Sequence, residues 1–149
     1  MKVVIQRVKS AKVEVDHTIV GEIGAGMLIL HGVETGDTDE DLQYILKKSL
    51  NLRIFDDEAG VMNESLLQQD KEILCVSQFT LLADTRKGNR PSYIRAERPE
   101  RSEPMYHEFC RLLADNLGKP IQKGIFGADM QITLVNDGPV TIVIDSRNR

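Results

Sequence analysis

The chain has 149 residues, of which 41% are hydrophobic and 28% are charged, and its formal net charge is −4. This length fits a single domain, predicted to span residues 1–149, that can bury a core without disulfide or metal staples. The absence of a long apolar run excludes a transmembrane helix and a membrane partner, and the negative charge argues against a general nucleic-acid coat protein.

The beginning of the chain and its two cysteines predict a protein of the reducing cytoplasm. Residues 1–7 read as the start of a strand, and they become charged too soon for a secretory signal. Cys75 and Cys110 lie in apolar contexts without a CxxC motif or a nearby histidine cluster, so we expect buried free thiols. Neither a metal site nor a cofactor is predicted.

Strand and helix signals alternate along the chain. Hydrophobic periodicity predicts strands over residues 2–8, 12–16, 27–33, 73–80, 130–135 and 140–145. Helices are predicted over 38–51, capped by Asp37 with Glu40, and over 103–117, opened by Ser102 and Pro104 and closed by Gly118 with Pro120. The predicted fold class is α/β, with a layered, largely antiparallel or mixed sheet that curls into a barrel-like core beside two main helices. Two helices cannot cover both faces of so many strands, so part of the sheet must curl on itself or bury against a partner.

Charge is distributed unevenly. Residues 34–41 hold five acidic side chains and no basic one, whereas residues 86–101 hold six basic and two acidic side chains. Such a local positive excess can hold a phosphodiester backbone. Charge alone nevertheless favours a solvated loop.

A first motif, Ser77-Gln78-Phe79-Thr80, ends an apolar strand. Polar residues at a strand end are often reactive groups on a rigid support. Ser77 is not in a GxSxG elbow, and no histidine stands in a motif that would make it a base for Ser77 or Thr80. Taken alone, the motif is more simply interpreted as a strand end where the hydroxyl groups of Ser77 and Thr80 form hydrogen bonds with the main chain.

A second motif, Gly138-Pro139, interrupts a β-type run. Proline cannot donate to a sheet ladder and glycine has no side chain to pack. A hairpin turn is the ordinary interpretation. The alternative is that backbone atoms are presented there to a ligand that side chains must not touch, and a cis peptide is possible at such a pair.

Together the two motifs closely resemble those of the D-aminoacyl-tRNA deacylase family of bacteria and eukaryotes. Further segments match in the same order along the chain: 6–8, 11–15, 24–30, 32–33, 52–57, 62–63, 83–92 and 126–130. The departures are His31, where an apolar residue is more usual, Tyr93, where phenylalanine is more usual, and a polar tail over 146–149.

The resemblance implies a homodimeric hydrolase, without metal or cofactor, that cleaves the ester joining a D-amino acid to the terminal ribose of tRNA. It also implies that the peptide of Gly138-Pro139 is cis and reaches across the dimer interface into the active site of the second subunit. A second subunit would complete the fold by covering the sheet that two helices leave open.

Discrimination between D- and L-amino acids must act at Cα if side chains are to be ignored, and fixed backbone atoms suit that task. Carbonyl groups at Gly138-Pro139 would receive the α-amino group and exclude an L side chain, so glycyl-tRNA should also be cleaved. Arg7 is the candidate brace of this loop, with a surface cation as the alternative. Met130 and Asn136 complete the predicted substrate-binding set, although a strand methionine is more often a core residue.

The predicted catalytic residues are Ser77, Gln78, Phe79 and Thr80. Backbone N–H groups near Phe79 and Thr80 are candidate oxyanion donors, and Gln78 would orient the substrate. Two mechanisms stay open: attack by Thr80 to form an acyl-enzyme, or attack by water with help from the neighbouring ribose hydroxyl. The second is favoured because no base is evident for Thr80.

With this family in view, Lys87, Arg90 and Arg95 become candidate contacts to the phosphates of the tRNA acceptor stem. Two other functions compete. One is a non-catalytic dimeric module that binds nucleic acid or a partner through the basic segment, and the other is a hydrolase of small D-amino-acid esters. The presence of both motifs argues against a mere binding module.

Overall fold

The computed structural model describes residues 1–149 and shows a mixed α/β fold. The strands are β1 (Lys2–Val15), β2 (Thr18–Ile23), β3 (Gly26–Gly32), β4 (Phe55–Asp56), β5 (Met62–Glu64), β6 (Glu72–Ser77), β7 (Gln122–Lys123) and β8 (Gln131–Asp145). The helices are α1 (Asp39–Asn51) and α2 (Pro99–Leu117), and a 3₁₀ turn spans Phe79–Leu82. The predicted fold class with its two main helices is confirmed.

The long strand β1 organises the sheet. One of its edges pairs antiparallel with β3 along residues 2–8 and with β2 along residues 11–15, and its other edge pairs with β8. β6 and β7 continue the sheet beyond β3 in parallel pairing. The two strands predicted over 2–8 and 12–16 are therefore one bent strand, of which each half has its own neighbour.

The sheet bends until β2 reaches β7, which nearly closes a barrel. The approach is close at Gly21 in β2, where an added Cβ would lie 3.0 Å from the carbonyl oxygen of Lys123 and 3.2 Å from the Leu74 side chain. A larger residue would hold these strands apart. The predicted curl of the sheet is confirmed.

Two hydrophobic cores occupy the two faces of the curved sheet. Met27 and Ile29 belong to the larger core, which lies under α1 and α2, whereas Leu28 belongs to the smaller core inside the barrel. Successive residues of a strand point to opposite faces, which explains why this apolar run serves both cores. Cys75 and Cys110 are buried free thiols, as predicted. Neither helix has the length and apolar character needed to cross a membrane.

Both helices begin at positions other than the predicted ones. Thr38 caps α1, and the Asp41 carboxylate accepts hydrogen bonds of 2.9 Å from its N–H and hydroxyl groups. The predicted cap, Asp37, instead pairs with the Met1 ammonium at 2.6 Å. α2 starts at Pro99 rather than at residue 103. Proline has no N–H group, and it is tolerated in the first helical turn because the N–H groups there have no acceptor within the helix.

Candidate functional site

The first motif lies where β6 leaves the sheet. β6 ends at Ser77 and the chain turns into the 3₁₀ helix, so the strand predicted to run to residue 80 ends three residues earlier. The N–H group of Gln78 donates to the carbonyl oxygen of His31 in β3 at 2.7 Å. Gly32 allows this turn to pack, since an added Cβ there would lie 2.8 Å from the Gln78 carbonyl oxygen.

A cleft of about 610 Å³ opens beside this strand end. Ser77, Gln78 and Phe79 line it together with residues from the start of α2 and from the segment 126–132. At the edge of the cleft, the rings of Phe79 and Tyr93 meet edge to face with their centroids 5.1 Å apart. The cleft thus combines polar groups at a rigid strand end with exposed aromatic surface.

Thr80 lies outside the lining of this cleft, whereas Met130 is part of it. Thr80 is not among its lining residues, and its hydroxyl accepts a hydrogen bond from Nε2 of Gln78 at 2.5 Å. Met130 lines the cleft and also packs into the barrel, with its sulfur 2.5 Å from where a Cβ of Gly124 would be. Met130 is therefore both a lining residue and a core residue.

The second motif forms a wide bulge within β8. Gln6 of β1 is paired with Thr141 and Val8 with Asn136, so the single residue Arg7 lies opposite the four residues 137–140. A hairpin turn is the wrong interpretation, because both halves of β8 continue antiparallel to the same strand. The Gly138-Pro139 peptide is cis, and the glycine has a φ of +121°.

The side chains of Arg7 and Asn136 hold this bulge through hydrogen bonds to main-chain carbonyl oxygens. Arg7 donates from Nε to the Asp137 carbonyl oxygen at 3.3 Å and from Nη1 to the Ile54 carbonyl oxygen at 2.7 Å. The amide of Asn136 donates to the carbonyl oxygens of Arg7 and Val140 at 2.9 and 3.2 Å. Arg7 is buried, so the alternative of a surface cation is wrong.

Within one chain the two motifs do not share a site. Gly138 and Pro139 are exposed and are not among the residues that line the cleft. The sequence-predicted residues therefore fall into two groups, with Arg7 and Asn136 at the bulge and Met130 in the cleft. No group of three or more potential metal-binding side chains comes together in the structure.

The basic residues of the 83–98 loop also differ from one another. Lys87 and Arg90 are exposed, whereas Arg95 pairs with the buried Glu34 carboxylate at 2.5 Å. Hydrogen bonds from Arg86 hold the pKa of the Asp84 carboxyl at about 2, so this pair is charged near neutrality. Lys87, Arg90 and Arg98 are exposed and form no ion pair within the chain, and Arg98 also lines the cleft.

Several cleft residues belong to segments that no catalytic motif marks. They are Tyr93, Ala96, Glu97, Arg98, Pro99, Ser102, Phe126, Ala128 and Ile132. The predicted second helix begins at residue 103, so the sequence did not place residues 99–102 in a helix beside the cleft. Two signals covered some of these residues: the basic segment 86–101, which was interpreted as a contact for nucleic acid, and the family-like segment 126–130, which indicated no role.

The model of the D-Tyr-tRNA(Tyr) deacylase family matches residues 4–145. The chain belongs to this family. Proteins named D-aminoacyl-tRNA deacylase from Parabacteroides distasonis and Flavobacterium psychrophilum are each 55% identical to it over 149 residues, which are 100% of this chain and 99% of theirs.

Two solved structures have the same fold. A "c-Myc DNA Unwinding Element Binding Protein" has a TM-score of 0.93 and 41% identity, and the match covers 97% of this chain and 98% of that one. A probable eukaryotic D-amino acid tRNA deacylase has a TM-score of 0.83 with 18% identity, covering 96% and 97%, which is a likeness of fold alone.

Proposed function

We propose that this chain, as a member of the deacylase family, hydrolyses the ester bond of D-aminoacyl-tRNA and releases a free D-amino acid and tRNA. The observation that carries the proposal is the cleft at the Ser77–Phe79 strand end, in a chain that matches the family from residue 4 to residue 145. Its polar and aromatic surfaces suit an aminoacylated nucleotide, which has an ester, a ribose and a base.

Water is the nucleophile in this proposal, and the ribose hydroxyl next to the ester assists it. The Thr80 hydroxyl is engaged by Gln78 and does not line the cleft, which supports this choice over attack by Thr80. The first N–H groups of the 3₁₀ turn have no acceptor within the turn. Those of Phe79 and Thr80 would stabilise the oxyanion, a contribution of about 3–4 kcal/mol for a donor in other enzymes.

The chiral gate would act between two copies of the chain. Gly138 and Pro139 are exposed on a bulge that is braced from beneath, and they stand outside the cleft of their own chain. In a homodimer the bulge would enter the cleft of the second copy and place backbone atoms at the substrate Cα. An L side chain would collide there, whereas glycine has none, so glycyl-tRNA would be cleaved as well.

Phosphate contacts would come from Lys87 and Arg90. Both side chains are exposed, and neither takes part in an ion pair within the chain. Arg95 would act indirectly by anchoring the loop to Glu34. Contacts of this kind position a nucleic acid without reading its sequence, which suits a substrate class of many tRNAs.

A second candidate function is binding of nucleic acid without catalysis. The structure at 41% identity is of a protein named for binding a DNA element, and the basic loop could serve such a role.

Incubation with D-tyrosyl-, L-tyrosyl- and glycyl-tRNA, and with a D-tyrosine ester, separates these functions. Rapid release from D-tyrosyl- and glycyl-tRNA alone is expected. Binding without release would support the second candidate, and cleavage of the small ester alone would indicate a hydrolase that does not use tRNA.

Mixed dimers test whether the gate acts between subunits. Gln78→Ala impairs the cleft and Arg7→Lys impairs the brace of the gate, so each homodimer has two defective sites. If the bulge enters the other subunit's cleft, the mixed dimer regains one site with an intact cleft and an intact gate. If the gate acts within its own chain, mixing restores nothing. Sedimentation of the wild-type protein as a monomer would also refute the gate in this form.

A further inference from the structure

His31 is a buried polar side chain that the proposed reaction does not use. It is 2% exposed and lies on β3 beside Ser77, with which it is paired in the sheet. Its ring stacks on Phe109 of α2 with the centroids 4.5 Å apart. Neither ring nitrogen has a hydrogen-bond partner in the protein. Since buried polar groups are rarely left unpaired, this imidazole calls for a partner.

A small chamber lies next to this ring. Its volume is about 30 Å³, and its walls include His31 and Tyr106. Six further wall residues also line the large cleft: Ser77, Gln78, Phe79, Glu97, Ser102 and Phe126. The chamber is therefore a side pocket of the cleft, behind the strand end that carries the first motif.

The size and chemistry of the chamber fit one water molecule. A site of at least about 10–15 Å³ with two to four polar partners can hold a water. Besides the imidazole, the hydroxyl of Ser102 is within its walls, and this hydroxyl donates to the Arg98 carbonyl oxygen at 3.0 Å, which leaves its lone pairs free to accept. Ser77 is a further polar residue of the lining, and it also lines the cleft.

We propose that this chamber binds a single ordered water, that His31 holds it, and that His31 is thereby a positioning residue for the strand end at Ser77 and Gln78. The main chain of His31 already fixes this segment, because its carbonyl oxygen accepts from the Gln78 N–H group at 2.7 Å. The His31 side chain would add a second attachment to this segment, through the water, on the face of the sheet that α2 covers. This role rests on the proposed deacylation, since its consequence is the geometry of the cleft.

The test combines crystallography with kinetics. A high-resolution crystal structure of the wild-type protein should show a water within about 2.6–3.2 Å of one His31 nitrogen. His31→Leu fills a similar volume without a polar atom, and kcat for D-tyrosyl-tRNA should fall about 5–10-fold while KM stays within twofold. His31→Asn, which can bind the water, should recover most of kcat. His107→Leu, the same change at an exposed site on α2, should leave both constants unchanged.

A dry chamber in the wild-type crystal would overturn the proposal, even if His31→Leu failed to fold. A folded His31→Leu protein with wild-type kcat would overturn it too, because a purely structural role would lower the melting temperature alone. If the wild-type protein released no D-tyrosine, the proposed function would fail, whereas the electron density at His31 would still decide whether the water site exists.

Discussion

The side chain of Arg7 donates from Nε to the carbonyl oxygen of Asp137 at 3.3 Å, which ties the first strand to the bulge of the last one. The same nitrogen lies 3.2 Å from the Asp137 carboxylate, and Nη1 reaches the carbonyl oxygen of Ile54 at 2.7 Å. One guanidinium thus joins three segments that are far apart in sequence. Lysine could not reproduce this fork, because its ammonium is a single point of charge on a flexible stem.

Arg7→Lys is therefore expected to lower both stability and activity. The loss of hydrogen bonds to buried carbonyl oxygens should reduce the free energy of unfolding by about 1–3 kcal/mol, measured by urea denaturation. The loosened bulge should lower kcat/KM for D-tyrosyl-tRNA at least tenfold. Lys9→Met, at an exposed residue of the same strand, is the control and should change neither. An Arg7→Lys protein with wild-type activity would show that the bulge needs no brace.

Thr80→Val tests the identity of the nucleophile. The variant keeps the shape of the side chain and loses one hydrogen bond with Gln78. Such a bond contributes about 0.5–1.5 kcal/mol, so the single-turnover rate should fall no more than about tenfold. Loss of a true nucleophile costs about 10⁴-fold or more, and a fall of that size would restore the acyl-enzyme mechanism. Thr85→Val, on the exposed loop, is the matched control.

Local features of the site could be predicted from the sequence, whereas features that depend on long-range pairing could not. The polar end of an apolar strand located Ser77 and Gln78, because the change from apolar to polar residues is a local signal. The bulge could not be distinguished from a hairpin, since the pairing of both halves of β8 with β1 is a long-range property. The burial of Arg7 was equally hidden, because its partners Ile54 and Asp137 are distant in the chain.

Neutralising Lys87 and Arg90 in the 83–98 loop should weaken tRNA binding and reduce its dependence on salt. The double variant Lys87→Gln/Arg90→Gln should raise KM and reduce the slope of log KM against log salt by up to about 2, roughly one for each lost phosphate contact. Arg95→Gln should instead lower the melting temperature, because it leaves the buried Glu34 with a weaker pairing. The double variant Lys9→Gln/Lys47→Gln, at two exposed residues outside this loop, removes the same two charges and controls for the change in net charge. A slope that the double variant leaves unchanged would remove this loop from the tRNA site.

Acid should destabilise the protein through His31. Burial, with a smaller effect of the Met1 ammonium, lowers the pKa of His31 to about 3, whereas the ordinary value in the unfolded chain is 6.5. Between these two values only the unfolded state binds the proton, so the free energy of unfolding falls as pH falls. The slope should approach about 1.4 kcal/mol per pH unit. Urea denaturation of the wild-type and His31→Leu proteins between pH 6.5 and pH 4 measures it.

The comparison of the wild-type protein with His31→Leu separates His31 from the carboxylates, because both proteins contain the same carboxylates, including Glu97 and Glu108, whose pKa values are lowered from 4.5. Burial of Asp41 opposes its ionisation, yet hydrogen bonds from Ser146 and Thr38 outweigh that effect and hold its pKa at about 2, against an ordinary value of 3.8. The stabilisation from Asp41 is therefore lost only as pH falls below about 3.8, outside the measured range. His31→Leu should flatten the slope, whereas His17→Asn, at an exposed turn residue, should retain it. Equal slopes in the wild-type and His31→Leu proteins would mean that His31 takes up its proton without unfolding.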